Sequence, residues 1–244
     1  MASNLVRLGI PTIAVVLALG FVAGVYAAER RAFDDGRARR HALVALLGIG
    51  GFMAFIAVLA LSGLLGRFDL RPPPLMLWML STLGAAVAVG LSPLGKRLAT
   101  GLPLVALVGF QAFRLPLELV MHRAANEGVM PRIMSYGGYN FDIVSGATAL
   151  VLALFLARGS VPRAVIVAWN LLGSVLLAII VTVAFLATPL IRAFGDAEVN
   201  RWITEFPYAW MAIMVSSALL GHVLLARRLL AESQRAALPR TVAS

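Results

Sequence analysis

Apolar residues run along this chain in blocks of about twenty, and short polar stretches separate the blocks. Reading for such blocks gives seven, at about 6–27, 42–65, 74–92, 102–122, 141–157, 164–188 and 207–226. Each is close to the roughly 20 residues that carry a helix across a hydrocarbon core about 30 Å thick. Lipid offers the backbone no hydrogen bonds, so a chain with this pattern is expected to be helical throughout its spans. The pattern predicts an all-α integral membrane bundle of seven helices, with residues 1–244 forming a single transmembrane domain. The connections are too short to hold a soluble domain.

One block breaks the rule. The run Gln111 to His122, QAFRLPLELVMH, sits among apolar residues yet holds Gln111, Arg114, Glu118 and His122. At about 100° per residue these four share one arc of a helix and form a polar stripe. A charge within a span costs a few kcal/mol or more unless paired or wetted, so the stripe marks a candidate functional site. Pro116 lies inside it and removes the backbone donor that Ala112 would otherwise meet.

Other polar groups are expected at the same depth. Asn140 and Asp142 open the fifth span, where a capping role would also explain them. Glu205 and Tyr208 precede the seventh, with Tyr208 and Trp210 placed as interfacial aromatics. These eight residues, Gln111, Arg114, Glu118, His122, Asn140, Asp142, Glu205 and Tyr208, form the candidate ligand-binding set. Two accounts remain open: a pocket reached from outside the membrane, or an Arg114–Glu118 pair at i, i+4 that satisfies itself. Asn170 and His222 match in depth nearer the other face and form a second polar contact, with Trp169 beside them as an interface anchor.

Composition agrees with the pattern. The chain is 61% hydrophobic and 13% charged, with mean hydropathy +0.91, outside the range of soluble domains. A net charge of +10 would suit nucleic acid, but the basic residues fall in short runs between spans and form no domain-sized patch. The positive-inside rule accounts for them better. With the amino terminus outside, thirteen Lys and Arg face inward: Arg30, Arg31, Arg37, Arg39 and Arg40; Lys96 and Arg97; Arg158 and Arg163; Arg227, Arg228, Arg235 and Arg240. Seven face outward: Arg7, Arg67, Arg71, Arg123, Arg132, Arg192 and Arg201. The carboxyl terminus is therefore expected inside. The expected surroundings are the lipid bilayer of a bacterial inner membrane, with a small-molecule or lipid ligand and possible membrane-complex partners, and no nucleic acid.

The first span ends in VYAA, which looks like a signal-peptide cleavage site, but its apolar stretch is too long and cleavage would strand Arg30–Arg40 on the translocated side. Gly20 and Gly24 in this span, Gly48, Gly50 and Gly51 in the second, and Ser81, Thr82, Gly84 and Gly90 in the third are expected to let helices approach closely. Arg71-Pro72-Pro73-Pro74 stops one helix and starts the next.

Several chemistries are excluded. The chain has no cysteine, so thiolate ligands, disulfides and a cysteine nucleophile are absent. Its one lysine, Lys96, lies between spans and suits no intramembrane Schiff base. The histidines are not placed for a bis-histidine haem, no HExxH spacing marks a metal, and no GxSxG or glycine-rich phosphate loop occurs. No cofactor or metal is expected. Arg114 suits an anionic head group, with Glu118 or Asp142 as a proton-accepting neighbour. That serves a carrier or receptor; an intramembrane acid–base enzyme or an accessory subunit are the alternatives.

The segments FRLPLELVMH, GVMPRIMSYGGYNFDIVSGATA, AWNLLG and FPYAW together resemble a family of small multi-pass bacterial membrane proteins without an assigned activity. The resemblance covers about residues 110–225. It draws attention to Arg114, Glu118, Pro131, Met134, Asn140, Asp142, Trp169, Asn170, Phe206 and Pro207, and implies no mechanism.

Overall fold

The computed structural model describes residues 2–159 and 161–237; Arg240, counted above with the inward charges, lies outside them. Among the described residues the secondary structure is helical, with no strand. Helices α1 (Asn4–Glu29) and α2 (Asp35–Leu61) make a hairpin. The α2 helix starts seven residues before the expected block because the side chain of Asp34 accepts a hydrogen bond from the Arg37 N–H at 2.9 Å, an N-cap that draws the arginine run into the first turns. Pro74 at the first turn opens α3 (Pro74–Leu91), as the proline run requires.

The fourth block is composite. A short amphipathic helix, α4 (Pro93–Gly101), carries Lys96 and Arg97, which the sequence had placed in a loop. Then follow α5 (Leu104–Gly109), one 3₁₀ turn at Phe110–Phe113, and α6 (Arg114–Asn126). The tightening falls directly before Pro116, where the i→i−4 ladder loses its donor. After it come α7 (Asp142–Arg158), α8 (Arg163–Leu186) and α9 (Met211–Ala237).

Six stretches are long and apolar enough to cross a membrane: 4–29, 35–61, 74–91, 104–126, 163–186 and 208–235. The α7 helix has 17 residues, about 25 Å at 1.5 Å per residue, one residue fewer than α3. Large apolar side chains such as Leu47, Phe55, Leu80, Phe155, Leu171 and Val175 point outward from α2, α3, α7 and α8. A belt of that kind is untenable in water and ordinary in lipid. The chain is thus compatible with a multi-pass membrane protein.

Helix α9 is the centre of the packing. It contacts α1, α3, α4, α5 and α8. It also runs about ten residues past the end expected at 226, because the arginines there turn back onto the protein. Arg227 donates to the carbonyl of Gly90 at 2.5 Å, covering an oxygen that α3 leaves open at its end, and to that of Ser92 at 2.9 Å. Arg228 donates to the Thr100 carbonyl at 2.9 Å.

Small residues behave in two ways. A Cβ on Gly90 would lie 2.6 Å from Val223, so that glycine sits at a tight α3–α9 crossing. Gly48, Gly50, Gly51 and Gly84 have nothing within 4 Å, contrary to the packing role expected of them.

Candidate functional site

The polar stripe faces inward. Arg114 opens α6 and is 1% exposed, and Gln111, Glu118, Asn140, Asp142, Asn170 and His222 are buried with it. Arg114 Nη2 lies 2.9 Å from Asp142 Oδ2. That ion pair leaves Asp142 Oδ1 without a hydrogen-bond partner. Arg114 Nη1 lies 3.0 Å from His222 Nε2, and His222 Nδ1 lies 2.9 Å from Asn170 Oδ1. A guanidinium only donates, so Nε2 is the bare nitrogen and Nδ1 carries the proton that Asn170 accepts. Asn170 in turn donates to the His222 carbonyl at 3.4 Å, which fixes its amide.

Glu118 is held differently. Asn140 Nδ2 donates to its two carboxyl oxygens at 2.9 and 2.8 Å and to the Met134 carbonyl at 3.1 Å. Two N–H bonds thus serve three acceptors, and the carboxylate has no other partner among the described residues. Asn140 Oδ1 accepts from the Asp142 N–H at 3.1 Å, so one amide ties the start of α7 to α6.

Three glycines make this crowding possible. A Cβ on Gly146 would lie 2.3 Å from the Leu115 nitrogen, on Gly173 2.5 Å from His222 Cε1, and on Gly221 2.5 Å from Gln111 Nε2. One bare position on each of α7, α8 and α9 therefore admits the backbone or a polar side chain of a neighbour.

A cavity of about 90 Å³ adjoins the cluster. Arg114, Glu118, Asn140 and Asp142 line it, with Asn200 from the segment before α9, Trp78 and Thr82 of α3, and apolar residues of α6, α8 and α9. Both side-chain polar atoms of Asn200 are buried and unpartnered. The partly exposed lining residues are Met79 and Leu83 on α3, Phe113 in the 3₁₀ turn, Val181 and Ala184 on α8 and Val215 on α9, all apolar.

The ten candidate residues fare unequally. Arg114, Glu118, Asn140 and Asp142 meet as expected. Arg114 and Glu118 are not within ion-pair distance, because each is drawn to a different part of the α7 entrance; the self-satisfying i, i+4 pair is absent. Gln111 sits behind the cavity, donating to the Ala218 carbonyl at 2.9 Å. Asn170 and His222 do not form a separate set at another depth. Because α9 extends to 237, His222 lies mid-helix and joins Arg114 directly.

Trp169 is likewise no interface anchor: its indole is buried, donates to Thr148 Oγ1 at 2.9 Å and tilts against His222. His122 leaves the cluster, stacking on Tyr136 at 4.1 Å, since one more turn carries it past the α7 entrance. Glu205 is exposed, and Tyr208 is buried against Trp202 rather than set at an interface; neither lines the cavity.

Sequence reasoning missed Asn200, the glycines at 146, 173 and 221, and Ser145, whose buried hydroxyl has no partner. Asn200 stands in a polar loop and carries no local signal. Among the described residues no group of three or more His, Asp or Glu is arranged to hold a metal ion. Compared with protein-family models, curated proteins and solved structures, the chain matches none.

Proposed function

We propose that this is a seven-span inner-membrane protein, amino terminus outside, that binds or translocates a small amphiphilic molecule whose polar end enters the cavity at Arg114, Asp142, Glu118 and Asn200. The observation that carries the reading is the excess of unmet polar capacity around that cavity. Asp142 Oδ1 and both amide atoms of Asn200 lack hydrogen-bond partners, and Glu118 shares one amide. An unpaired buried polar group costs about 1–3 kcal/mol, so several in one place are a poor design for stability alone. A ligand head group that both accepts and donates would meet them together.

The apolar, partly exposed lining on α3, α8 and α9 supports an amphiphile over a wholly polar ligand. Residues 114, 118, 134, 140 and 142, which carry the family resemblance, all line the cavity, so relatives of that kind are proposed to share the site.

Asn200 gives the cleanest test. It has no side-chain partner to lose, so Asn200→Ala is expected to unfold at the parent's temperature while weakening retention of the amphiphile that co-purifies with the parent, identified by mass spectrometry. One lost hydrogen bond corresponds to roughly fivefold to tenfold in affinity. Undiminished retention would overturn the site. Intramembrane acid–base catalysis is the second reading, favoured by two carboxylates lining one cavity; there Glu118→Gln would keep binding and lose turnover.

A further inference from the structure

A second cavity, of about 450 Å³, lies between α2 and α3 over a floor of α1 and α9. On α2 it is lined by His41, Ala45, Gly48 and Phe52, which share one helix face. From His41 to Phe52 a helix rises about 16 Å, half of a hydrocarbon core about 30 Å thick. The groove is therefore one leaflet deep. Val44, Gly48 and Ala85 along its edge are exposed, so it opens sideways, where acyl chains would be.

Its other end is charged. Glu29 is fully buried and holds Arg97 Nε at 2.5 Å and His41 Nδ1 at 2.7 Å, and both partners are partly exposed to the groove mouth. Arg40 and Lys96, close by in sequence and exposed, have no acidic partner among the described residues. In all, the segments 29–41 and 96–97 carry seven Lys and Arg against three acids, Glu29, Asp34 and Asp35. That excess selects an anionic occupant.

The geometry points to a binding groove for an anionic phospholipid, one acyl chain between α2 and α3 and the phosphate at Arg97, Arg40 and Lys96. Glu29 acts as a positioning residue that presents Arg97. The full chain is reconstituted in phosphatidylcholine vesicles with trace phosphatidylglycerol bearing a diazirine in its acyl chain, and adducts are mapped by mass spectrometry. Adducts are expected to concentrate on residues 41–52 and 82–89, with unlabelled phosphatidylglycerol competing about fivefold better than phosphatidylcholine.

Gly48→Leu fills the groove from a position with no neighbour within 4 Å and should remove the adducts. Arg40→Gln with Lys96→Gln should bring the two lipids to parity and keep the adducts. Adducts spread over all lipid-facing helices, adducts undiminished by Gly48→Leu, equal competition in the parent, or copy-to-copy crosslinks across α2 and α3 in place of lipid adducts would each overturn the assignment.

Discussion

Asn140 is the residue on which the cluster turns. Its amide bridges Glu118, Met134 and the first N–H of α7, so it fixes the loop, the carboxylate and the helix start together. Asn140→Ala is expected to destabilise the protein by about 1–3 kcal/mol or more, because Glu118 then keeps its burial and loses its donors. Thermal unfolding in detergent reads this. Adding Glu118→Leu should recover most of the loss, since removing both partners removes the unmet group as well; no recovery would show that the loop contacts, not the carboxylate, carry the effect. Arg114 and Glu118 were legible because charge in an apolar block is conspicuous, and Asn140 and Asp142 because they open the next span at the same depth. The sequence did not reveal which pairs form. That choice depends on where α7 enters relative to α6, a tertiary fact with no local signature.

At the scale of the helix, the cluster exists because α7 lies almost backbone to backbone against α6. Gly146 stands one turn after Asp142, and its missing side chain lets the Arg114–Leu115 peptide approach. Gly146→Ala should force the pair apart, costing about 1–3 kcal/mol as an overpacked contact does and pulling Asp142 from Arg114. Gly84→Ala is the matched control: nothing lies within 4 Å of it, and it should be neutral or stabilising by up to about 1 kcal/mol through the unfolded chain. Unfolding midpoints that move alike for both would sink the argument. Helix positions were largely readable from hydropathy, and the errors share a cause. Blocks were ended at charges, yet Asp34 caps a helix that absorbs the arginines at 37, 39 and 40, and Arg227 turns inward onto Gly90 and Ser92. Glycine spacing was equally ambiguous, because the same residue type marks a crossing at Gly90 and open space at Gly48.

For the molecule as a whole, the proposed seven-crossing topology rests on α7, which at 17 residues is one shorter than α3. Two contacts bear on it. Before α7, the Ile133 N–H donates to Glu198 at 3.1 Å, placing its start beside the segment that joins α8 to α9. After α7, Arg163 donates to the Leu229 carbonyl at 2.7 Å, placing its end beside the far half of α9. Since α9 runs from Met211 to Ala237, one contact reaches the segment before that helix and the other its far half, the separation that the proposed crossing by α7 requires. Its shortness can be met by local thinning of the bilayer at modest cost. The natural chain has no cysteine, so single cysteines report without background. Arg132→Cys and Arg158→Cys replace exposed side chains, one in the turn ten residues before α7 and one at its last residue. With an impermeant thiol reagent, position 132 should label in intact cells and position 158 only after permeabilisation. Labelling of both from one side would make α7 a re-entrant helix and put the two termini on the same face; labelling of 158 alone would keep seven crossings and invert them. The inverted result would also carry the basic end of the α2–α3 groove to the outer leaflet, away from the anionic lipid that the cytoplasmic leaflet supplies.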